Sequence, residues 1–146
     1  MIDLAGDTRE LLNAARVGHL ATADQYARPH VIPIVFVVSE GRLYFPLDRK
    51  PKRDDDWHLL RRVRNIETNG RVSIVVDRYD EDWTKLAWVL IEGVANILET
   101  GNERDSAVRE LTMKYEQYGA DGLEGRPVVR VVIERTVQWR AGTAGR

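Results

Sequence analysis

The chain contains no cysteine. That excludes disulfide scaffolds, thiolate zinc sites and thiol nucleophiles, and it agrees with a reducing, cytoplasmic setting. Long apolar runs are also missing, and no stretch approaches the ~18 residues of a membrane span. The opening residues Met1-Ile2-Asp3-Leu4-Ala5-Gly6-Asp7 have neither the basic region nor the apolar core of a signal peptide. Neither export nor membrane insertion is expected. An excess of one charge is absent too: 22 Lys and Arg oppose 23 Asp and Glu, for a net charge of -1. Attraction of the whole chain to nucleic acid or to an anionic membrane is therefore weak, and any basic function must be a local patch.

The signals of several enzyme classes are absent as well. There is no G-x-S-x-G elbow, no Walker loop and no G-x-G-x-x-G fingerprint, so the common hydrolase, nucleotide triphosphatase and dinucleotide-fold readings fail. His19, His30 and His58 lack metal-ligand spacing, and Asp54-Asp55-Asp56 lacks the alternating pattern of a calcium loop. No metal site is expected. There is no internal repeat and no linker long enough to divide the chain, so its 146 residues are read as one domain, 1–146, with an ordered core over about 8–139.

What is present alternates like a β protein. Asp7 followed by Glu10 has the spacing of a capping box before a short helix carrying Leu11, Leu12 and Ala15. Residues 17–22 and 31–38 read as strands joined by a turn at 24–29, and a second turn at 39–42 leads into a strand at 43–47. Leu59, Leu60, Val63 and Ile66 recur at helical spacing in a connecting helix. Further strands are expected at 72–76, at 87–98 with a bend near Gly93, and at 128–139 with a bend near Glu134 and Arg135. Between the last two, Asn102 opens a longer helix with an apolar stripe of Val108, Leu111, Tyr115 and Tyr118, ended by Gly119. Six strands and three helices, mostly joined by short turns, predict a mainly β fold: an antiparallel sheet closed into a barrel with flanking helices.

Chemistry concentrates in two places. Asp48-Arg49-Lys50-Pro51-Lys52-Arg53 puts four cations directly after a strand, and from 48 to 64 seven Lys and Arg face four Asp. Such a cluster either converges on one phosphate or carboxylate or forms a solvated turn. Nucleic acid fits poorly, because Asp54-Asp55-Asp56 would repel its backbone. In Arg28-Pro29-His30-Val31-Ile32-Pro33-Ile34, Pro33 removes a donor from what reads as a strand interior, marking either an edge strand or a backbone that faces a ligand. His30 is a possible general acid or a structural histidine. Trp83 and Trp88 serve either a packed interface or a cover over a ring.

Taken in order, Gly18-His19-Leu20-Ala21-Thr22, the segment from Arg28 to Ile34, Lys50-Pro51-Lys52-Arg53, Arg64-Asn65-Ile66, Arg71-Val72-Ser73-Ile74-Val75-Val76-Asp77, Tyr79-Asp80-Glu81-Asp82-Trp83 and Ile91-Glu92-Gly93 form a familiar set. The set resembles the pyridoxamine 5′-phosphate oxidase-like split β-barrel superfamily, most closely its small coenzyme F420-dependent oxidoreductases. The resemblance implies a six-stranded Greek-key split barrel of the FMN-binding type, forming a homodimer with cofactor sites at the interface. It implies that Lys50 and Lys52, with Arg53 beside them, hold a cofactor phosphate, and that His30, Val31, Ile32 and Pro33 lie against its tricyclic ring. Pro46 and Leu47 would line the same pocket, and Trp83 would reach the ring from the partner subunit. The expected activity is hydride transfer between reduced F420 and an unsaturated small molecule. The alternatives are an FMN oxidoreductase of the same fold and a non-catalytic flavin or deazaflavin carrier. Position 46 is Pro where flavin-binding relatives often carry a hydroxyl.

Overall fold

Apolar and polar side chains alternate along most of the strands, and in a computed structural model describing residues 2–48 and 56–142 they build one antiparallel sheet around an apolar interior. Its strands are β1 (Gly18–Ala23), β2 (Pro29–Ile34), β3 (Val37–Ser39), β4 (Arg42–Pro46), β5 (Arg71–Arg78), β6 (Ala87–Leu98) and β7 (Val128–Arg140), joined in the order β2-β1-β5-β6-β7-β4-β3. The helices are α1 (Gly6–Ala14), α2 (Arg61–Thr68) and α3 (Asn102–Lys114).

That order dictates a barrel. β2 and β3 occupy opposite ends of the sheet, yet only Val35 and Phe36 separate them in the chain. Three virtual bonds from Ile34 to Val37 span at most about 11 Å. Seven strands laid flat at ~4.8 Å spacing would set those ends about 29 Å apart. The sheet must therefore roll until its ends nearly meet, leaving a split without ladder hydrogen bonds between β2 and the β3–β4 hairpin. Tyr115 bolts the crossover in place: its hydroxyl accepts the Phe36 N–H at 3.2 Å and lies 2.9 Å from the Arg16 carbonyl and 3.2 Å from that of Phe36, either of which can take its proton.

The count of seven strands replaces the expected six, because the run 31–38 breaks at Val35 and Phe36. Its first half pairs with β1 (Val31 opposite Ala21) and its second with β4 (Val38 opposite Leu43). The class and the antiparallel pairing are as expected. Pro33 sits in β2, an edge strand, where a missing N–H is tolerated. The bend expected near Glu134 and Arg135 is a bulge: Glu92 faces Arg135 while Gly93 faces Ile133, leaving Glu134 as the extra residue.

Leu20, Phe45, Ile74, Val89, Ile91 and Val131 fill the barrel. A second cluster forms outside, where Ala107, Leu111 and Tyr115 of α3 pack against Val37, Tyr44 and Val128. β4 thus buries both faces. The capping box does not form: α1 starts at Gly6 with Ala5 as its cap, and the Asp7 carboxylate accepts the Thr8 N–H and pairs with Arg140. Of the four residues in the connecting-helix stripe, Val63 and Ile66 are buried and Leu60 is partly so, whereas Leu59 lies in the 3-10 turn Trp57–Leu59 and is exposed. No helix among the described residues is long and apolar enough to cross a membrane.

Candidate functional site at the barrel split

The split is bordered by some of the predicted residues, those of β2 and of the end of β4. Because Val37 faces Tyr44, the end of β4 runs on past the start of β3 and brings Pro46, Leu47 and Asp48 to the β2 side of the opening. β2 pairs only with β1, so its other edge faces that opening. Along β2 the side chains alternate: His30 and Ile32 are half-buried on the inner side, and Val31 and Pro33 are exposed on the outer side. Leu47 is wholly buried in the barrel core, so it shapes the floor of the opening from beneath. Pro46 is buried as well. Lys50, Lys52 and Arg53 lie outside the described residues.

Helix α2 covers this end of the barrel. Its Asn65 donates from Nδ2 to Thr22 Oγ1 at 2.9 Å, a buried bond, and Thr22 stands directly opposite His30. Arg62 is three residues before Asn65, hence on the same helix face. Burial pushes the Arg62 guanidinium downward from its ordinary pKa, while the Asp48 carboxylate opposes that shift. Arg62 therefore lies within electrostatic reach of the end of β4, and α2 links that end to β1 through Asn65. Asp48 accepts from the Tyr118 hydroxyl at 2.8 Å, and burial together with that bond raises the Tyr118 pKa. Arg126, itself buried, donates from Nε to the Leu47 carbonyl at 2.8 Å and contacts the Asp48 carbonyl at 3.5 Å.

Two buried polar atoms in this region have no hydrogen-bond partner among the described residues: His30 Nδ1 and Arg62 Nε. Buried polar atoms are nearly always satisfied, and leaving one unpaired costs roughly 1–3 kcal/mol. A bound group carrying ring heteroatoms and a phosphate would supply what they lack. The residues present fit a phosphorylated ring cofactor.

Trp83 is not part of this cluster. It opens the 3-10 turn Trp83–Lys85 between β5 and β6, 67% exposed, with its indole N–H 3.4 Å from the Tyr79 hydroxyl. His30 is level with the start of β5, since Ala21 faces Ser73, and from Ser73 to Arg78 the strand rises about 17 Å. Within one chain Trp83 stands at the far end of the barrel from His30.

The sequence reading missed Arg62, Tyr118 and Arg126 as site residues. Arg62 was hidden among neighbouring arginines. Arg126 carried one usable signal, a lone cation between Gly125 and the apolar strand start Pro127-Val128-Val129.

Comparison with known proteins identifies the family and the fold. The pyridoxamine 5′-phosphate oxidase family matches residues 4–140, nearly the whole described chain. The chain belongs to that family. Pyridoxamine 5′-phosphate oxidase-like proteins are flavin-binding oxidoreductases on the split-barrel fold. One relative is the 5a,11a-dehydrotetracycline/5a,11a-dehydrooxytetracycline reductase of Streptomyces rimosus subsp. rimosus, 33% identical over 91 residues, which are 62% of this chain and 61% of that protein. Two solved structures share the fold. A conserved hypothetical protein of Mycobacterium tuberculosis superposes with a TM-score of 0.76 at 21% identity, over 96% of this chain and 86% of that one. The heme storage protein HutZ of Vibrio cholerae does so with a TM-score of 0.71 at 20% identity, over 97% and 96%.

Proposed function

We propose that this member of the family is an oxidoreductase that uses reduced coenzyme F420 to reduce an unsaturated small molecule, with the ring held at the split between β2 and the end of β4. The observation carrying this reading is the pair of buried, unpartnered polar atoms, His30 Nδ1 and Arg62 Nε, at an opening bordered by an unpaired strand edge. The similarity to a reductase of dehydrotetracyclines supports a small unsaturated substrate. When bound, the deazaflavin supplies the hydride. The chain's own part is to orient and shield: the β2 backbone from His30 to Pro33 lies along the ring, and Arg62 meets an acceptor. Lys50 and Lys52, with Arg53 beside them, neutralise the phosphate. Pro46 and Leu47 give an apolar floor that excludes water. No dedicated acid or base is required of the protein, because the proton can come from solvent.

Trp83 reaches such a ring only from a second copy of the chain, which accords with a homodimer whose sites lie between subunits. The outer face of the sheet suits that pairing. Val31, Val75, Leu90 and Val137 line it across four strands, beside a groove of about 580 Å³ edged by the Arg71–Glu134 and Arg135–Glu92 ion pairs. The second reading keeps the site and replaces F420 with FMN. It is favoured by the family's flavin binding and opposed by Pro46, which offers no hydroxyl.

Lys50→Ala and Lys52→Ala each remove one charge-assisted contact to phosphate and should weaken cofactor binding by about 10- to 150-fold, equivalent to about 1.5–3 kcal/mol. Affinities unchanged in both variants would remove the phosphate from this segment. Turnover separates the enzyme from a carrier: the account expects the reduced cofactor to be consumed when an unsaturated acceptor is added, and binding without consumption across a broad acceptor panel would favour the carrier.

A further inference from the structure

Lys114 is a nucleophile that the redox reading does not use. It ends α3, and its half-buried amine sits where that helix meets the end of α1 and the crossover at Val35 and Phe36. Nζ donates to the Leu12 carbonyl at 3.2 Å and stands 4.2 Å from the centre of the Phe36 ring and 5.4 Å from that of Tyr115. The Arg16 guanidinium stands over the same Tyr115 ring at 4.5 Å, and its backbone is pinned there because its carbonyl lies 2.9 Å from the Tyr115 hydroxyl. Two cations therefore share one tyrosine. Among the described residues, no carboxylate pairs with either of them.

A cation placed beside another cation, with little water and no acid, holds its proton weakly. Burial deprives the ammonium of water and Arg16 repels it, which brings Lys114 down to about 8. Tyr115, the titratable side chain beside it, is raised by burial and stays neutral. A neutral amine keeps an N–H for the Leu12 carbonyl and gains a lone pair, the state in which lysine attacks carbonyl carbon. What it attacks follows from the charges. Acylation to a neutral amide would leave Arg16 without an anion, and an imine would keep two positive charges together. Addition to carbon dioxide turns the amine into a carbamate, an anion that a guanidinium can pair with. Bulk points the same way, since a half-buried nitrogen beside two rings admits a triatomic molecule more readily than a larger acyl donor.

We propose that Lys114 is a carbon dioxide acceptor whose carbamate pairs with Arg16. The ammonium releases one proton to water, the nitrogen lone pair forms the N–C bond, and one C=O electron pair moves onto oxygen. A second N–H proton then leaves to solvent, giving Nζ–COO⁻ with no change of oxidation state. The proposal goes beyond the redox reading and depends on no cofactor. Its test uses the full chain without cofactor, near pH 8, equilibrated with carbon dioxide and bicarbonate, alkylated with a trialkyloxonium salt and read by peptide mass spectrometry. A trapped carboxyl group on Lys114 is expected, in a fraction that rises with dissolved carbon dioxide at fixed pH. Lys85, in the exposed turn Trp83–Lys85, should stay unmodified. R16Q should lower the trapped fraction about threefold or more, whereas R16K, which keeps the charge, should retain most of it. If R16Q fails to fold, the contrast between Lys114 and Lys85 in the unaltered chain carries the test. No adduct on Lys114, equal trapping on Lys85, or a fraction unchanged in folded R16Q would overturn the proposal. Because no ring compound is present, a failed F420 or FMN titration leaves this result untouched.

Discussion

Gly93→Ala should cost about 3 kcal/mol or more of unfolding free energy. A Cβ at position 93 would stand 2.3 Å from the Val132 carbonyl oxygen and 2.9 Å from a Val131 methyl. The obstacle is the backbone of the neighbouring strand at the bulge, where β6 and β7 change register. β7 is held on its other side by β4, so the strand cannot retreat without opening the ladder around the split. For a domain of this size the loss corresponds to a melting temperature lower by roughly 6–12 °C. Gly6→Ala is the matched control. No atom lies within 4 Å of its Cβ and it begins a helix, so it should be neutral or slightly stabilising. Equal denaturation midpoints for the two variants would contradict the bulge account.

Arg126→Met keeps most of the aliphatic volume and removes the guanidinium. Its Nε bond to the Leu47 carbonyl and its contact with the Asp48 carbonyl would be lost, taking from the buried Leu47 carbonyl its charged donor. A bond from a charged donor contributes about 1.5–3 kcal/mol, and a buried carbonyl deprived of it adds to the deficit, so a loss of about 3 kcal/mol is expected. The damage is also local. Leu47 and Asp48 form the border of the split, and Asp48 immediately precedes the basic segment. Cofactor affinity should therefore fall even at temperatures where the variant is fully folded. Urea unfolding and a binding titration on the same preparation check both halves. Lost stability with unchanged affinity would show that Arg126 supports the core alone.

Much of the fold was legible because strand periodicity is local. Residues 72–76 and 87–98 announce themselves by alternation, and Gly93 and Glu134 mark the bend within a long apolar pairing. The break at Val35 and Phe36 was not legible. Both are apolar, both suit a strand, and what parts them is the closure of the barrel, which depends on contacts from Tyr115 far along the chain. Of the candidate site, only the residues that break a local pattern were legible. Pro33 stood out because it breaks a strand pattern; the cations after β4 stood out as a charge cluster but lie outside the described residues. Arg62 and Arg126 did not, since their roles arise from burial, and burial is a property of the assembled barrel. Leu47 shows another case: a residue expected to line the site whose side chain the fold buries beneath it.

The central claim is that the split holds a deazaflavin in preference to a flavin. Parallel fluorescence-quench titrations of the purified full chain with F420 and with FMN, at physiological salt so that nonspecific attraction is screened, test it without needing a substrate. Micromolar or tighter binding of F420, with FMN much weaker, is the expected result. Tighter binding of FMN, or no binding of either, would contradict it.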